Sequence, residues 1–167
     1  MKKIIILSAV FCYSYITAQI KTPQPSPTAT IVQKIGISNV TIDYSRPGVK
    51  KREIFGGLVP YNKMWRTGAN KATKITFEEN CIFGGSKVRK GSYSLFTIPG
   101  EKEWTVLLNK ETELWGAGDY NEENEVLRIV VEPKETKDFT ESFTIDFNNF
   151  KSFSAILSIK WANTLVN

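Results

Sequence analysis

Residues 143–148 read FTIDFN and residues 155–161 read AILSIKW. In the first stretch Phe143, Ile145 and Phe147 alternate with Thr144, Asp146 and Asn148. In the second, Ala155, Leu157, Ile159 and Trp161 alternate with Ile156, Ser158 and Lys160. Successive side chains of an extended chain point to opposite faces, so a period of two describes strands with one face in a core and one in water. The same period recurs upstream, where Val40, Ile42 and Tyr44 alternate with Thr41, Asp43 and Ser45, and Ile75 and Phe77 alternate with Lys74, Thr76 and Glu78. Three further stretches, 93–98, 104–108 and 127–131, are apolar on both sides and are predicted as central strands. Turn residues punctuate the chain at Gly36, Gly84-Gly85, Lys90-Gly91, Pro99-Gly100 and Pro133, and no helical period runs beyond a turn or two. The pattern predicts an all-β fold, an antiparallel β-sandwich, with a barrel or a jelly-roll-like arrangement as variants. The pair 93–98 and 104–108 reads as adjacent strands joined by a tight turn.

One segment interrupts the alternation. Residues 46–70, RPGVKKREIFGGLVPYNKMWRTGAN, hold four glycines and two prolines. A connection of that length inside a compact domain is uncommon and is often functional. It also carries Ile54, Phe55, Leu58, Val59, Tyr61, Met64 and Trp65, which need to pack. The expectation is one long ordered loop excursion across an end of the sandwich, with a short helical turn near Tyr61 to Trp65.

The N-terminus has a different chemistry. Met1-Lys2-Lys3 is followed by an uncharged apolar stretch from 4 to 16, then by the small residues Thr17 and Ala18. That order is a secretory signal peptide, and the run is short of the roughly 20 apolar residues a spanning helix needs. Residues 1–18 are therefore expected to be a cleaved signal, 19–27 a Pro-rich leader and 28–167 a single domain, exported to the periplasm or beyond and without membrane insertion after processing. The net charge of +5 falls once Lys2 and Lys3 leave, since 20 basic residues then face 17 acidic ones. So small an excess gives no argument for nucleic acid. Cys12 leaves with the signal and is preceded by Phe11, which disfavours lipidation, so Cys81 stands alone without a disulfide partner.

The chain has no histidine. That excludes an internal Ser-His-Asp or Cys-His apparatus and the usual imidazole metal sites. Asp119, Glu122, Glu123 and Glu125 form an acidic run, but they lack the spacing of an EF-hand loop and read as a solvated turn. Gly84-Gly85-Ser86 reads as a hairpin turn, and Gly116-Ala117-Gly118 lacks the remainder of a dinucleotide fingerprint. The reading is no cofactor, no metal and no catalytic constellation.

Polar recognition has a clearer signal. Arg46, Arg66 and Asn70 lie among Tyr44, Tyr61, Trp65, Trp115 and Tyr120. Arginine presents a planar fork of donors to carboxylate, phosphate or sugar oxygens, and aromatic faces stack on rings. Arg46, Trp65, Arg66, Asn70, Trp115 and Tyr120 are the candidate ligand-binding set. The competing reading has Arg46 and Arg66 bonding backbone carbonyls to pin the loop while Trp65 anchors it in the core. If that stretch is extended, Trp65 and Arg66 face opposite ways, with Trp65 inward and Arg66 toward the ligand. Trp104 and Trp161 fit the strand alternation and are expected in the core, and Cys81 is expected as a small buried hydrophobe.

The segments SRPGVKKREIFGGLVPYNKMWRTGAN (45–70), GSYSLFTIPG (91–100), EWTVLLNK (103–110) and WGAGDY (115–120) resemble a secreted domain-of-unknown-function family, number 2911, common in Bacteroidetes. The likeness runs from about Pro25 to the C-terminus, and the stretch from Pro60-Tyr61 to WRTGAN is its most specific part. It implies export and a β-rich domain, and supplies no activity or catalytic residue.

Three functions stay open on these residues: a non-catalytic cell-envelope binding module for a polar ligand such as a glycan, a histidine-independent hydrolase or lyase using carboxylates (for example Glu53 with Asp119) or lysine, and a structural or assembly protein. For export, the expected outcome is that the processed protein begins close to Gln19. N-terminal sequencing of exported material checks this, and an intact Met1 refutes it.

Overall fold

The computed structural model describes residues 22–167. The signal peptide expected at 1–18, with Cys12 inside it, and the start of the leader lie outside the described residues. Ten strands follow: β1 (Thr28–Ile35), β2 (Ser38–Ser45), β3 (Thr73–Phe77), β4 (Cys81–Phe83), β5 (Ser86–Val88), β6 (Gly91–Ile98), β7 (Trp104–Asn109), β8 (Glu125–Val131), β9 (Lys134–Lys151) and β10 (Ser154–Val166). Six of them form one antiparallel sheet in the order β1-β2-β3-β6-β7-β8. The long hairpin β9–β10 supplies the second layer, and β4–β5 is a separate short hairpin. The sandwich expected from the alternation is what forms. Its large sheet is a meander interrupted once by the β4–β5 hairpin, whereas a jelly roll is built from Greek keys.

Pairing sets the two faces. Ile42 opposes Ile75, Ile75 opposes Tyr93, Leu95 opposes Leu108, and Leu108 opposes Leu127, so these side chains share the inner face. Phe143, Ile145, Phe147, Ile159 and Trp161 meet them from the hairpin, as their period predicts. The central strands β6 and β7 are buried on both faces, because Phe96 and Leu107 form a second, smaller apolar cluster on the outer face with Ala72 and Leu114. The stretch 127–131 departs from expectation. It lies in β8, an edge strand, so Arg128 and Val130 face solvent although the sequence is apolar enough for a centre.

Gly84 and Gly85 make the expected two-residue turn, both with positive φ, between the paired residues Phe83 and Ser86. The excursion 46–70 is ordered across one end, with Val49, Ile54, Val59 and Trp65 buried. Leu58, expected to pack, is exposed. The helical turn expected near Tyr61 to Trp65 does not form. Trp65 and Thr97 instead exchange backbone hydrogen bonds of 2.7 and 2.9 Å, so the chain there is extended and continues the sheet beside the end of β6.

Trp65 joins three parts of the molecule. Its ring stacks on Trp161 of β10 at a centroid distance of 5.8 Å and 15°, and meets Phe143 of β9 edge-on at 5.2 Å and Trp104 of β7 at 6.3 Å. Trp65→Ala is expected to destabilise the domain by about 3–5 kcal/mol, through the cavity left behind and the dispersion attraction forfeited around it. The exposed Trp115→Ala should stay within about 0.5 kcal/mol. Chemical denaturation of both variants reads the contrast.

Candidate functional site

Two regions can hold a ligand, one on each face of the large sheet. The first is a cavity of about 940 Å³ between the sheet and the β9–β10 hairpin. Ile75, Val106, Ile159 and Val166 form its deep wall, and each is at least 95% buried. Its mouth carries large apolar side chains that remain in water: Ile37 at 86% exposure, Phe153 at 77%, Ile82 at 72% and Ile156 at 37%. Polar groups are few and include Ser38, Glu79, Asn80, Ser154 and Asn167, with Glu79 the one charged residue of the lining. Two turn tips meet here. The Phe153 ring of the β9–β10 turn lies over Gly36 of the β1–β2 turn, where a Cβ would come within 2.7 Å of it.

Cys81, on β4, sits on the same wall and is half-buried rather than fully buried as expected. Burial pushes its thiol pKa up, which keeps it protonated at neutral pH and makes it a poor nucleophile. The volume is that of an ordinary small-molecule site, and the lining is more apolar than most.

The second region is the outer face around Arg66. The antiparallel pairing of Trp65 with Thr97 puts Trp65 on the inner face and Arg66 on the outer, the side occupied by Phe96. Arg66 Nε is buried and has no hydrogen-bond partner among the described residues. Its terminal nitrogen Nη1 faces the backbone of Gly116, 3.9 Å from where a Cβ would stand. Burial lowers its pKa from the ordinary value.

The six residues expected to bind together are divided. Arg46 is a pin: its Nε donates to Phe143 O at 3.0 Å and its Nη2 to Thr144 Oγ1 at 2.8 Å, tying the start of the excursion to β9. Asn70 is a pin as well, donating to Ser26 O at 3.2 Å and to Ser45 Oγ at 3.1 Å. Trp65 belongs to the inner core. Arg66, Trp115 and Tyr120 belong to the outer face: Trp115 precedes Gly116 and is 64% exposed, and Tyr120 packs edge-on against Phe96 at 4.8 Å. The Tyr120 hydroxyl donates to Glu125 Oε1 at 2.7 Å, and burial together with that carboxylate pushes its pKa up. Of the two arginines, Arg46 makes the pinning bonds, and Arg66 makes none among the described residues.

The acidic run is a capped turn. Asn121 accepts from the Glu123 backbone N–H, residues Glu122–Asn124 form one 3-10 turn, and Glu125 takes both Arg128 and Tyr120. No group of three His, Cys, Asp or Glu among the described residues is placed to hold a metal ion. Glu53 lies in the 46–70 excursion beside Ile54 of the inner core, and Asp119 in the β7–β8 connection beside Tyr120 of the outer cluster.

A protein-family model for a protein of unknown function, DUF2911, matches residues 26–167. The chain belongs to that family. No curated protein and no solved structure matches it. The match spans the whole sandwich, so both faces of the large sheet, the cavity and the Arg66 region, lie inside the family domain.

The cavity was not found in sequence reasoning, because its inner wall looks like any strand core. A signal was present at its mouth. Ile37 and Phe153 are bulky apolar residues in turns, and Ile156 is an apolar residue at the water-facing phase of its strand.

Replacing the two arginines by methionine, which keeps the stem and removes the charge, should act in opposite directions. Arg46→Met should cost about 1–3 kcal/mol, since it strands carbonyl and hydroxyl partners. Arg66→Met should be neutral or stabilising by up to about 1 kcal/mol, since it removes a half-buried guanidinium whose Nε has no partner among the described residues. Paired urea titrations of the two variants check this, and equal losses at both positions would make Arg66 a second pin.

Proposed function

We propose that this protein is an exported, non-catalytic binding module whose cavity takes an apolar small molecule, of which an acyl chain is the simplest class. The cavity carries the reading. An apolar space of about 940 Å³ opens through a mouth ringed by water-exposed Ile37, Ile82 and Phe153. A domain that needed only a packed sandwich would lose stability by leaving such a space unfilled, because cavities forfeit dispersion attraction and exposed apolar rims attract aggregation. An apolar guest satisfies both surfaces. The lining's polar groups, Ser154, Asn80 and Asn167, suit a small polar head, although Asn80 Oδ1 and Asn167 Oδ1 already accept from Lys90 N and Ser158 Oγ, and Glu79 favours a neutral head over an anionic one.

A single thiol among the described residues and a histidine-free chain also suit a carrier or receptor better than a catalyst. A hydrolase reading needs two converging carboxylates, and the example pair Glu53 and Asp119 lies in different loops, beside Ile54 of the inner core and Tyr120 of the outer cluster.

The experiment is a homologous series of primary alcohols displacing a hydrophobic fluorophore. Affinity should rise about fourfold per added methylene, the free energy of burying one CH2 being about 0.8 kcal/mol, until the cavity is full. Ala155→Trp, which fills the lining, should abolish displacement while the melting temperature is held or raised. Flat affinity across the series, or an undiminished response in Ala155→Trp, would sink the proposal. Cys81 gives an independent readout. Its alkylation should be slow at pH 7, should still be accelerating above pH 9 because the thiol pKa is raised, and should be slowed further by a bound alcohol.

A further inference from the structure

Residues 65–70, WRTGAN, form a tightly bonded turn in which one polar group is left over. Trp65 Nε1 donates to Gly68 O at 3.0 Å. Thr67 is fully buried, with its Oγ1 3.1 Å from Thr97 Oγ1 and its carbonyl accepting from Thr73 Oγ1 at 2.6 Å. Gly68 has φ +155°, which L side chains rarely adopt, and a Cβ there would stand a tight 3.1 Å from Ser45 O and 3.2 Å from Thr73 Oγ1. Asn70 bridges Ser26 and Ser45. Arg66 is the exception, its Nε buried and unbonded among the described residues.

No acid among the described residues is paired with Arg66. Glu113 is held by Lys71 at 2.7 Å, and Glu125 by Arg128 at 2.6 Å. The other arginines differ: Arg46, Arg52 and Arg128 all use their guanidinium donors, and Arg89 is exposed to water.

Two adjacent residues therefore carry a cost. A buried donor without an acceptor is unfavourable. Thr67, a β-branched residue, is held at φ +52°, a conformation such residues rarely adopt. Strain of this kind persists where the surroundings over-determine it, and it clusters at ligand sites. Here three hydrogen bonds and complete burial fix Thr67, and so fix the direction in which Arg66 leaves the backbone.

We propose that Arg66, the Gly116 backbone and Trp115 form a second binding site, on the outer face, for a small carboxylate carried on an apolar or aromatic body. A carboxylate fits because the planar guanidinium offers parallel N–H groups that meet two oxygens in one plane. The apolar body fits because the exposed Trp115 stands beside Gly116, and the half-buried Met64, Ala117 and Tyr120 lie at the margin of the outer cluster. This site is separate from the cavity, which lies on the inner face of the same sheet.

Benzoate is the probe, with benzyl alcohol as its neutral counterpart and inorganic phosphate as the competing oxyanion. Trp65, Trp104 and Trp161 are buried, so acrylamide quenching reads mainly Trp115. Benzoate should shield Trp115 from the quencher and shift the amide resonances of Gly116 and Ala117 at millimolar concentration. Benzyl alcohol and phosphate should bind at least about tenfold more weakly, the worth of a charge-assisted hydrogen bond. Arg66→Lys, which keeps the charge and loses the fork, and Arg66→Gln should each weaken benzoate by about tenfold or more with melting temperatures no lower than the parent. The proposal is overturned if benzoate perturbs neither signal, if benzyl alcohol or phosphate matches it, or if both variants bind it undiminished.

Discussion

The packing of one indole, Trp65, constrains the rest of the molecule. The ring lies between the large sheet and the hairpin, stacked on Trp161 and edge-on to Trp104 and Phe143. Its backbone is simultaneously bonded to Thr97, and its indole N–H to Gly68 O. A 25-residue connection with little regular structure has a high conformational entropy to lose. It can be ordered because one large apolar group near its end is fixed from several directions at once. Phe55 adds to the same cluster from within the loop, 4.8 Å from Trp104. Arg46 closes the other end of the excursion by reaching β9.

That anchoring has a consequence for chemistry on the opposite face. An extended backbone at Trp65 must direct the next side chain outward, and the buried Thr67 then turns the chain back toward β3 through its carbonyl. Arg66 is thus held between two immobilised neighbours. The direction of its Cα–Cβ bond is set by those neighbours, and its Nε is buried without a partner among the described residues.

The sandwich also has unequal ends. Around Trp65 aromatic rings fill the space between the layers. At the other end, beneath the turns at Gly36-Ile37 and Ser152-Phe153, the layers enclose an apolar cavity. Ordinary interiors are packed nearly as densely as organic crystals. The packing is therefore uneven, dense around Trp65 and open beneath the two turns. The β4–β5 hairpin, carrying Cys81 and Ile82, forms part of the hollow end and is paired to no other strand.

The alternation in residues 143–148 and 155–161 was enough to determine strands and their buried faces, because a period of two puts the apolar side chains on one side. The choice of sandwich over barrel or jelly roll came from the strand pairing. The loop's need for order was equally legible, in apolar residues from Ile54 to Trp65 that had to be buried somewhere. Sequence spacing could say that Trp65 and Arg66 part company, but not which partners each would meet. Strand order was beyond its reach: the apolar run at 127–131 looks central, and only the pairing of β8 with β7 alone makes it an edge. So was the fate of the arginines, since Arg46 and Arg66 are chemically identical and differ only in whether a carbonyl from a distant strand arrives within hydrogen-bonding reach. The cavity is the extreme case. Its walls are residues that each look like core, and whether they touch or stand apart is decided by the separation of the two layers, a quantity no local pattern encodes.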